Sequence, residues 1–352
     1  MTSITVNASK EYKICIGKKA LDKAGEKIKA ACGGETAAII TDDTVNNLYG
    51  DTVELSLKQA GYRAAHRFVF PNGEQSKNIN TYSSILNELA EKKLTRSDVV
   101  IALGGGVTGD MAGFAAATYQ RGTSLAQIPT TLLAMVDSSV GGKTAINLPA
   151  GKNQAGVFYQ PDIVLCDVDV LQTLSAEVFR NGCAEVIKHA MIFGFELFEL
   201  LKKPIKPQIE DIITRNITIK RDIVVLDEKD TGIRQLLNFG HTIGHGIEKH
   251  SNYSISHGNA VAAGMAVTCR GAWRMGFCER NCYDELVDTL EIYRLPYKTD
   301  IPAEKLFEAA FSDKKRSGLV ITEILPEKIG KCVLYDFNVN EYEAFIKLGT
   351  GD

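Results

Sequence analysis

Three histidines carry the most specific chemical signal in the chain. His241 and His245 stand four apart in Asn238-Phe-Gly-His-Thr-Ile-Gly-His-Gly, a spacing that puts both imidazoles on one face of a helix. His257 follows the NYSIS stretch and is expected to open the next helix. Neutral imidazoles suit Zn²⁺ and related metals, and a catalytic zinc commonly takes three protein ligands and keeps one position open. A carboxylate is still wanted. Glu185, an acid flanked by the apolar Cys183-Ala184 and Val186-Ile187 in NGCAEVIKH, is the best candidate. HTIGH has no glutamate after its first histidine, so the HExxH peptidase pattern is absent. His66, His189 and His250 read as ordinary hydrogen-bonded or surface histidines.

The second signal is Val99-Val-Ile-Ala-Leu-Gly-Gly-Gly-Val-Thr-Gly-Asp110, which runs from an apolar strand through glycines into a helix. Gly104, Gly106 and Gly109 satisfy GxGxxG, a pattern that lets backbone approach a pyrophosphate at a helix N-terminus. The usual ribose-binding acid about 20 residues later is missing, because the next acid after Asp110 is Asp137. Asp42, closing the AAIITD strand, is the upstream alternative. Ser138–Thr144 (SSVGGKT) lacks P-loop spacing, since Asp137 stands where GxxxxGK[ST] requires glycine. The hydroxyls of Thr130 and Thr131 either meet a nucleotide or cap the next helix. Lys143, Lys152, Asn153, Lys188, Lys220, Arg234, Asn238 and Lys314 lie beside these motifs. Cations near a metal suit an acidic, phosphorylated or polyhydroxylated ligand.

The elements that must position these residues fall into two textures. Up to residue 174, apolar runs such as Ala37–Thr41, Val99–Leu103, Leu125–Ile128 and Ile163–Cys166 alternate with helical segments, the pattern of parallel βαβ units. After it, helical spacing dominates from Ala176–His189 through Leu236–His250 and Asn259–Met275 to Ala303–Asp313, before a terminal hairpin at Leu319–Leu325 and Lys331–Tyr335. We therefore expect an α/β Rossmann-like domain with a parallel sheet over 1–174 and a mostly α-helical domain over 175–352, joined by a short hinge and sharing a cleft. The 352 residues suit two domains. Forty Lys and Arg against 43 Asp and Glu leave a net charge of −3, which argues against bulk nucleic-acid binding. The N-terminal stretch has no signal-peptide pattern, and no apolar run is long enough to span a bilayer. Eight cysteines without a CxxC pair read as thiols of a reducing cytoplasm. Cys278 and Cys282 form a CxxxC with no partner pair at zinc-ribbon spacing. Several of the 31 glycines cluster, which suggests backbone contact with ligands.

Taken together, GGGVTGD (104–110), RG (121–122), IPTTLLAMVDSSVGGKTAIN (128–147), GKNQAG (151–156), NGCAEVIKH (181–189), RQLLNFGHTIGH (234–245), HGNAVAAGM (257–265) and DKKRSG (313–318) closely resemble the 3-dehydroquinate synthase family of sugar-phosphate cyclases. The resemblance runs from about Asp42 to Gly330. It implies an NAD-binding first domain and a second domain holding Zn²⁺ or Co²⁺ on Glu185, His241 and His257. By the same resemblance, NAD meets Asp42, Glu74, Lys77, Gly105, Gly106, Val107, Thr108, Gly109, Asp110, Thr130, Thr131, Lys143, Lys152, Val170, Leu171, Gln172 and Thr173. Substrate meets Lys143, Asn153, Lys188, Lys220, Arg234, Asn238, His245 and one of Lys314 and Lys315. Arg121 reaches the phosphate of a neighbouring subunit's site, which implies a homodimer. The reaction implied converts 3-deoxy-D-arabino-heptulosonate 7-phosphate to 3-dehydroquinate and phosphate, on the shikimate route to aromatic amino acids. It proceeds by transient oxidation, phosphate elimination, re-reduction, ring opening and aldol closure. Two segments depart from the family pattern: PNGEQSK in place of PxGExxK, and Thr322-Glu323 where a basic or apolar residue is more usual. The alternatives are an inosose or valiolone synthase, a metal-dependent polyol dehydrogenase that would produce NADH, and a non-enzymatic nucleotide sensor. Arg234 with Asn238 favours the dehydroquinate synthase reading.

Overall fold

The structure, a computed structural model, describes residues 1–314 and 320–351, with no side chains from 311 to 319. The expectation for Lys314 and Lys315 lies outside the described side chains. The chain forms two compact units, Met1–Ser175 with Lys220–Lys229, and Ala176–Ile219 with Asp230–Asp352.

The first unit is built on a seven-stranded sheet. Its strands are β1 (Thr2–Asn7), β2 (Glu11–Gly17), β3 (Thr36–Asp42), β4 (Ala64–Phe70), β5 (Val99–Gly104), β6 (Ser124–Pro129) and, further along the chain, β9 (Ile163–Asp167). The order is β1-β2-β9-β6-β5-β3-β4; only the β1–β2 pair is antiparallel. β5 is buried along its whole length, as its VVIALG run requires when helices cover both faces. The main helices are α1 (Ala24–Cys32), α2 (Asp51–Gln59), α3 (Ile79–Glu91) and α4 (Gly106–Thr118). Helix α3 places Tyr82, Ile85 and Leu89 against Met111, Ala112 and Ala115 of α4 in one buried cluster.

A separate hairpin, β7 (Lys143–Leu148) with β8 (Gly151–Phe158), follows the SSVGG segment. That segment leads into a strand, which agrees with rejecting a P-loop there. Residues 220–229 group with this unit for a local reason. The Glu228 carboxylate accepts hydrogen bonds from Ser9 N (2.8 Å), Ser9 Oγ (2.6 Å) and Gln160 Nε2 (2.8 Å).

The second unit comprises α5 (Ala176–Phe193), α6 (Phe195–Leu201), the first part of α7 (Ile209–Leu226), α8 (His241–His250), α9 (His257–Arg274), α10 (Arg280–Ile292), α11 (Ala303–Lys314) and α12 (Val339–Thr350), with the hairpin β10 (Val320–Lys328) and β11 (Lys331–Asn338). Several element boundaries differ from the sequence expectation, and one helix was not expected. The helix expected over Leu236–His250 is broken: Ile233–Asn238 is a 3₁₀ turn, and α8 starts only at His241, after Gly240 at φ +75°. The chain also ends in α12, capped by Asn338 and Glu341 in a reciprocal capping box. The unusual Glu323 is structural. It is fully buried, and its Oε2 accepts a hydrogen bond from Tyr342 Oη of α12 at 2.9 Å. Thr322 Oγ1 bonds across the hairpin to Asp336 Oδ1 at 2.7 Å. Among the described residues no helix is long and apolar enough to cross a membrane, and all eight cysteines are unpaired thiols.

Candidate active site

In the first unit, the candidate residues collect at the carboxyl ends of parallel strands. Asp42 ends β3, the 72–77 stretch follows β4, Gly104 ends β5, Thr130 and Thr131 follow β6, and Val168–Thr173 follows β9. The strand order reverses between β3 and β5, since the chain goes from β3 out to β4 and then returns to β3's other edge. Such a switch point is where doubly wound sheets bind ligands. Asp42 and the glycine loop flank it, an order that explains why the acid precedes the loop in sequence.

The loop itself is shaped for close approach. A Cβ on Gly105 would lie 3.3 Å from Thr131 Cγ2, and one on Gly106 would lie 3.2 Å from Ser138 Oγ. Side chains at either position would crowd the start of α4, where N–H groups and the helix dipole favour an anion. The two threonines divide the roles that sequence leaves open. Thr131 Oγ1 accepts from Ala134 N at 3.1 Å and is a cap. Thr130 Oγ1 is buried with no hydrogen-bond partner among the described residues, an orphan that a bound group would satisfy.

Three expected residues form one network. Lys77 Nζ donates to Asp110 Oδ2 at 2.5 Å and to Asn153 Oδ1 at 2.6 Å. Burial pushes the Asp110 carboxyl up, and Lys77 pulls against it. Asn147, which sequence reasoning missed, knits this network. Its N donates to Lys77 O (3.0 Å), its Nδ2 to Glu74 Oε1 (2.7 Å), and its Oδ1 accepts from Asn153 N (2.9 Å). Asn153 sits at φ +55°, a conformation asparagine tolerates better than most residues. Asp42 Oδ1 caps Val45 N at 2.9 Å. Val170 O accepts from Tyr49 Oη at 3.3 Å, and Thr173 Oγ1 lies 2.7 Å from the same hydroxyl. Val170 and Leu171 are buried, while Gln172 is exposed. Lys143 and Lys152 stand on the β7–β8 hairpin. Lys220 Nζ is paired with the carboxylate of Asp137, another residue the motifs did not single out. Arg121 is exposed at φ +64°, between Gln120 at +52° and Gly122 at +120°.

In the second unit, three elements bring Glu185, His241 and His257 together. Glycines make their approach possible. A Cβ on Gly258 of α9 would lie 2.5 Å from Asn181 Cα on α5, and one on Gly264 would lie 2.1 Å from Gly240 O. These glycines seat helix on helix, so clustering of glycine in this half does not mark ligand contact. Glu185 is fully buried on α5. Its Oε1 lies 3.5 Å from His257 Nε2 and 3.8 Å from His241 Nε2. Donors around a shared zinc with bonds of about 2.1 Å would stand about 3.4 Å apart. One carboxylate oxygen and two imidazoles thus fit a divalent cation of borderline softness. Buried Lys188, one turn on, pairs with Glu185 Oε2 and leaves Oε1 directed at the histidines.

The environment prepares the ligands unequally. Burial and the Lys188 charge hold His241 well below the ordinary histidine value, against the pull of Glu185. Burial alone would lower His257 too, but hydrogen bonds with Glu185 and Glu248 carry it up to about 9. Glu248, on α8, was not among the sequence candidates. Its Oε2 lies 3.5 Å from His257 Nδ1, the ring nitrogen opposite the one facing Glu185. A carboxylate behind a ligating histidine fixes tautomer and orientation. Glu248 is three residues after His245, and that helical spacing is the signal that would have found it. His245 joins the ring cluster, 5.5 Å from His241 and 6.2 Å from His257 between centroids. Arg234 is buried in the 3₁₀ turn and Asn238 closes it. His250 bonds Lys305 O at 2.9 Å, in keeping with its ordinary reading.

The sequence matches the family profile "3-dehydroquinate synthase N-terminal" over residues 67–181 and "3-dehydroquinate synthase C-terminal" over 182–316. A 3-dehydroquinate synthase of Enterococcus faecalis is 44% identical over 347 residues, covering 97% of each chain. One of Clostridium botulinum is 43% identical over 341 residues, covering 95% of this chain and 97% of its own. Among solved structures, a 2-epi-5-epi-valiolone synthase from Streptomyces hygroscopicus, with NAD⁺ and Zn²⁺ bound, superposes with a TM-score of 0.86 at 27% identity over 99% of both chains. The margin in identity separates the dehydroquinate synthase reading from its cyclase rival. This chain belongs to the 3-dehydroquinate synthase family of enzymes.

Proposed function

We propose that this enzyme converts 3-deoxy-D-arabino-heptulosonate 7-phosphate to 3-dehydroquinate and phosphate in the cytoplasm, as a homodimer that uses NAD and a divalent zinc or cobalt ion. The observation that carries the reading is the convergence of Glu185, His241 and His257 in a chain of this family. When bound, the nicotinamide supplies a reversible hydride acceptor and the metal supplies Lewis acidity.

The chain's own residues do the rest. Asp42, Glu74, Lys77, the 105–110 loop, Thr130, Lys143, Lys152 and the 170–173 stretch hold the nucleotide, and Thr131 caps the helix beside them. Lys188 pairs with Glu185 Oε2 and leaves Oε1 aimed at the histidines. Glu248 holds His257 so that Nε2 faces Glu185 and His241. Lys143, Asn153, Lys188, Lys220, Arg234, Asn238 and His245 bind the substrate's carboxylate, phosphate and hydroxyls. The tight left-handed turn at Gln120–Gly122 stores strain of the kind found at functional sites, and supports a role for Arg121 at the partner subunit's phosphate.

The test is phosphate release from the heptulosonate phosphate, with and without a chelator. Release should stop on chelation and return with Zn²⁺ or Co²⁺. Release indifferent to the chelator would remove the metal from the account.

A further inference from the structure

The CxxxC pair, unassigned by the sequence motifs, acquires a third member in the fold. Cys269 lies in α9, Cys278 in the loop after it, and Cys282 in the first turn of α10. All three are buried, and their sulfurs lie within 4.8 Å of one another. Cys269 Sγ and Cys282 Sγ are 3.9 Å apart. Three thiolates sharing one cation with M–S bonds of about 2.3 Å would stand about 3.8–4.0 Å apart. A disulfide needs about 2.05 Å, so the observed pair would have to close by almost half its separation. Cys278 lies just before the N-terminus of α10, whose N–H groups and dipole favour its thiolate over its thiol. Cys278 is the most exposed of the three, at 8%, and offers an entry path. Cys332, the other cysteine nearby, is turned to Met191 O at 3.5 Å.

We propose that Cys269, Cys278 and Cys282 form a second cation site, for a soft d¹⁰ ion such as Zn²⁺, held by three thiolates with solvent in the fourth position. Binding releases the thiol protons to solvent, one for each sulfur still protonated, and no electron moves. Soft sulfur ligands select such ions over the hard cations. The site is independent of Glu185, His241 and His257. His257 opens α9 and Cys269 lies in its fourth turn, about 18 Å further along the helix axis.

The test uses the full chain, reduced, stripped of metal and titrated with Co²⁺ alone. A thiolate–cobalt charge-transfer band in the near ultraviolet should rise and saturate; carboxylate and imidazole ligands give no such band. It should persist in His257→Ala and disappear in Cys278→Ser, with circular dichroism checking that both variants fold. Zn²⁺ should also protect Cys278 of the wild-type protein from alkylation, read by mass spectrometry. No band in the wild type, a band untouched by Cys278→Ser, or alkylation unchanged by Zn²⁺ would each overturn the proposal. The wild-type titration and alkylation decide the matter even if Cys278→Ser fails to fold.

Discussion

Glycine does opposite work in the two halves of this protein. At Gly105 and Gly106 of the first unit, the missing side chains leave room in front of a helix N-terminus. At Gly258 and Gly264 of the second unit, they let helices touch backbone to backbone, and so carry His257 to Glu185 and His241. The same residue type, in clusters of similar appearance, opens space before a helix N-terminus in one case and seats a helix interface in the other. A glycine cluster therefore announces close approach but does not name what approaches.

That contrast can be broken in order of expected effect. His257→Ala should lower turnover by about 10³-fold or more and strip the carboxylate–imidazole site of zinc, with NAD affinity unchanged; parallel metal analysis and NAD titration check it. Gly264→Ala should cost about 3 kcal/mol of stability in denaturant unfolding, because the new methyl meets backbone that must move. Glu248→Gln should weaken metal affinity about 10–100-fold while leaving the fold intact, measured by competition with a chelating dye. Gly106→Ala should do the reverse of Gly264→Ala. Stability should hold within about 1 kcal/mol, as alanine suits a helix start, while NAD affinity falls about tenfold from crowding at the N–H groups.

The smallest effect is in pH. His257 is raised to about 9 in the folded, metal-free protein, above its unfolded value of about 6.5. Its contribution to stability is therefore complete below about 6.5 and is lost as pH rises through about 9. The melting temperature of the metal-free protein should drift down across that window. Over the same window zinc affinity should rise, by at most about tenfold per pH unit, because the metal displaces one proton from His257. A flat affinity would show that His257 binds no proton there.

Much of this was legible in the sequence where one force dominated. The β5 strand is apolar throughout because it is buried on both faces, and the histidine spacing was readable because α8 presents one face. Legibility failed where tertiary contacts decide. Leu236–His250 keeps helical periodicity across Gly240, yet the helix breaks there, where Gly240 packs against Met265. The β7–β8 hairpin has mixed polarity and partly exposed faces, so no clean alternation marks it. Asn147 works chiefly through bonds to Glu74 and Lys77, contacts far apart in sequence that no local pattern encodes.

The most direct test of the central claim counts phosphate, 3-dehydroquinate and reduced nicotinamide in one reaction with substoichiometric NAD. Phosphate and dehydroquinate should appear in equal amounts, with no growth of the reduced-nicotinamide absorbance. Reduced nicotinamide accumulating without phosphate would contradict it and make the chain a dehydrogenase.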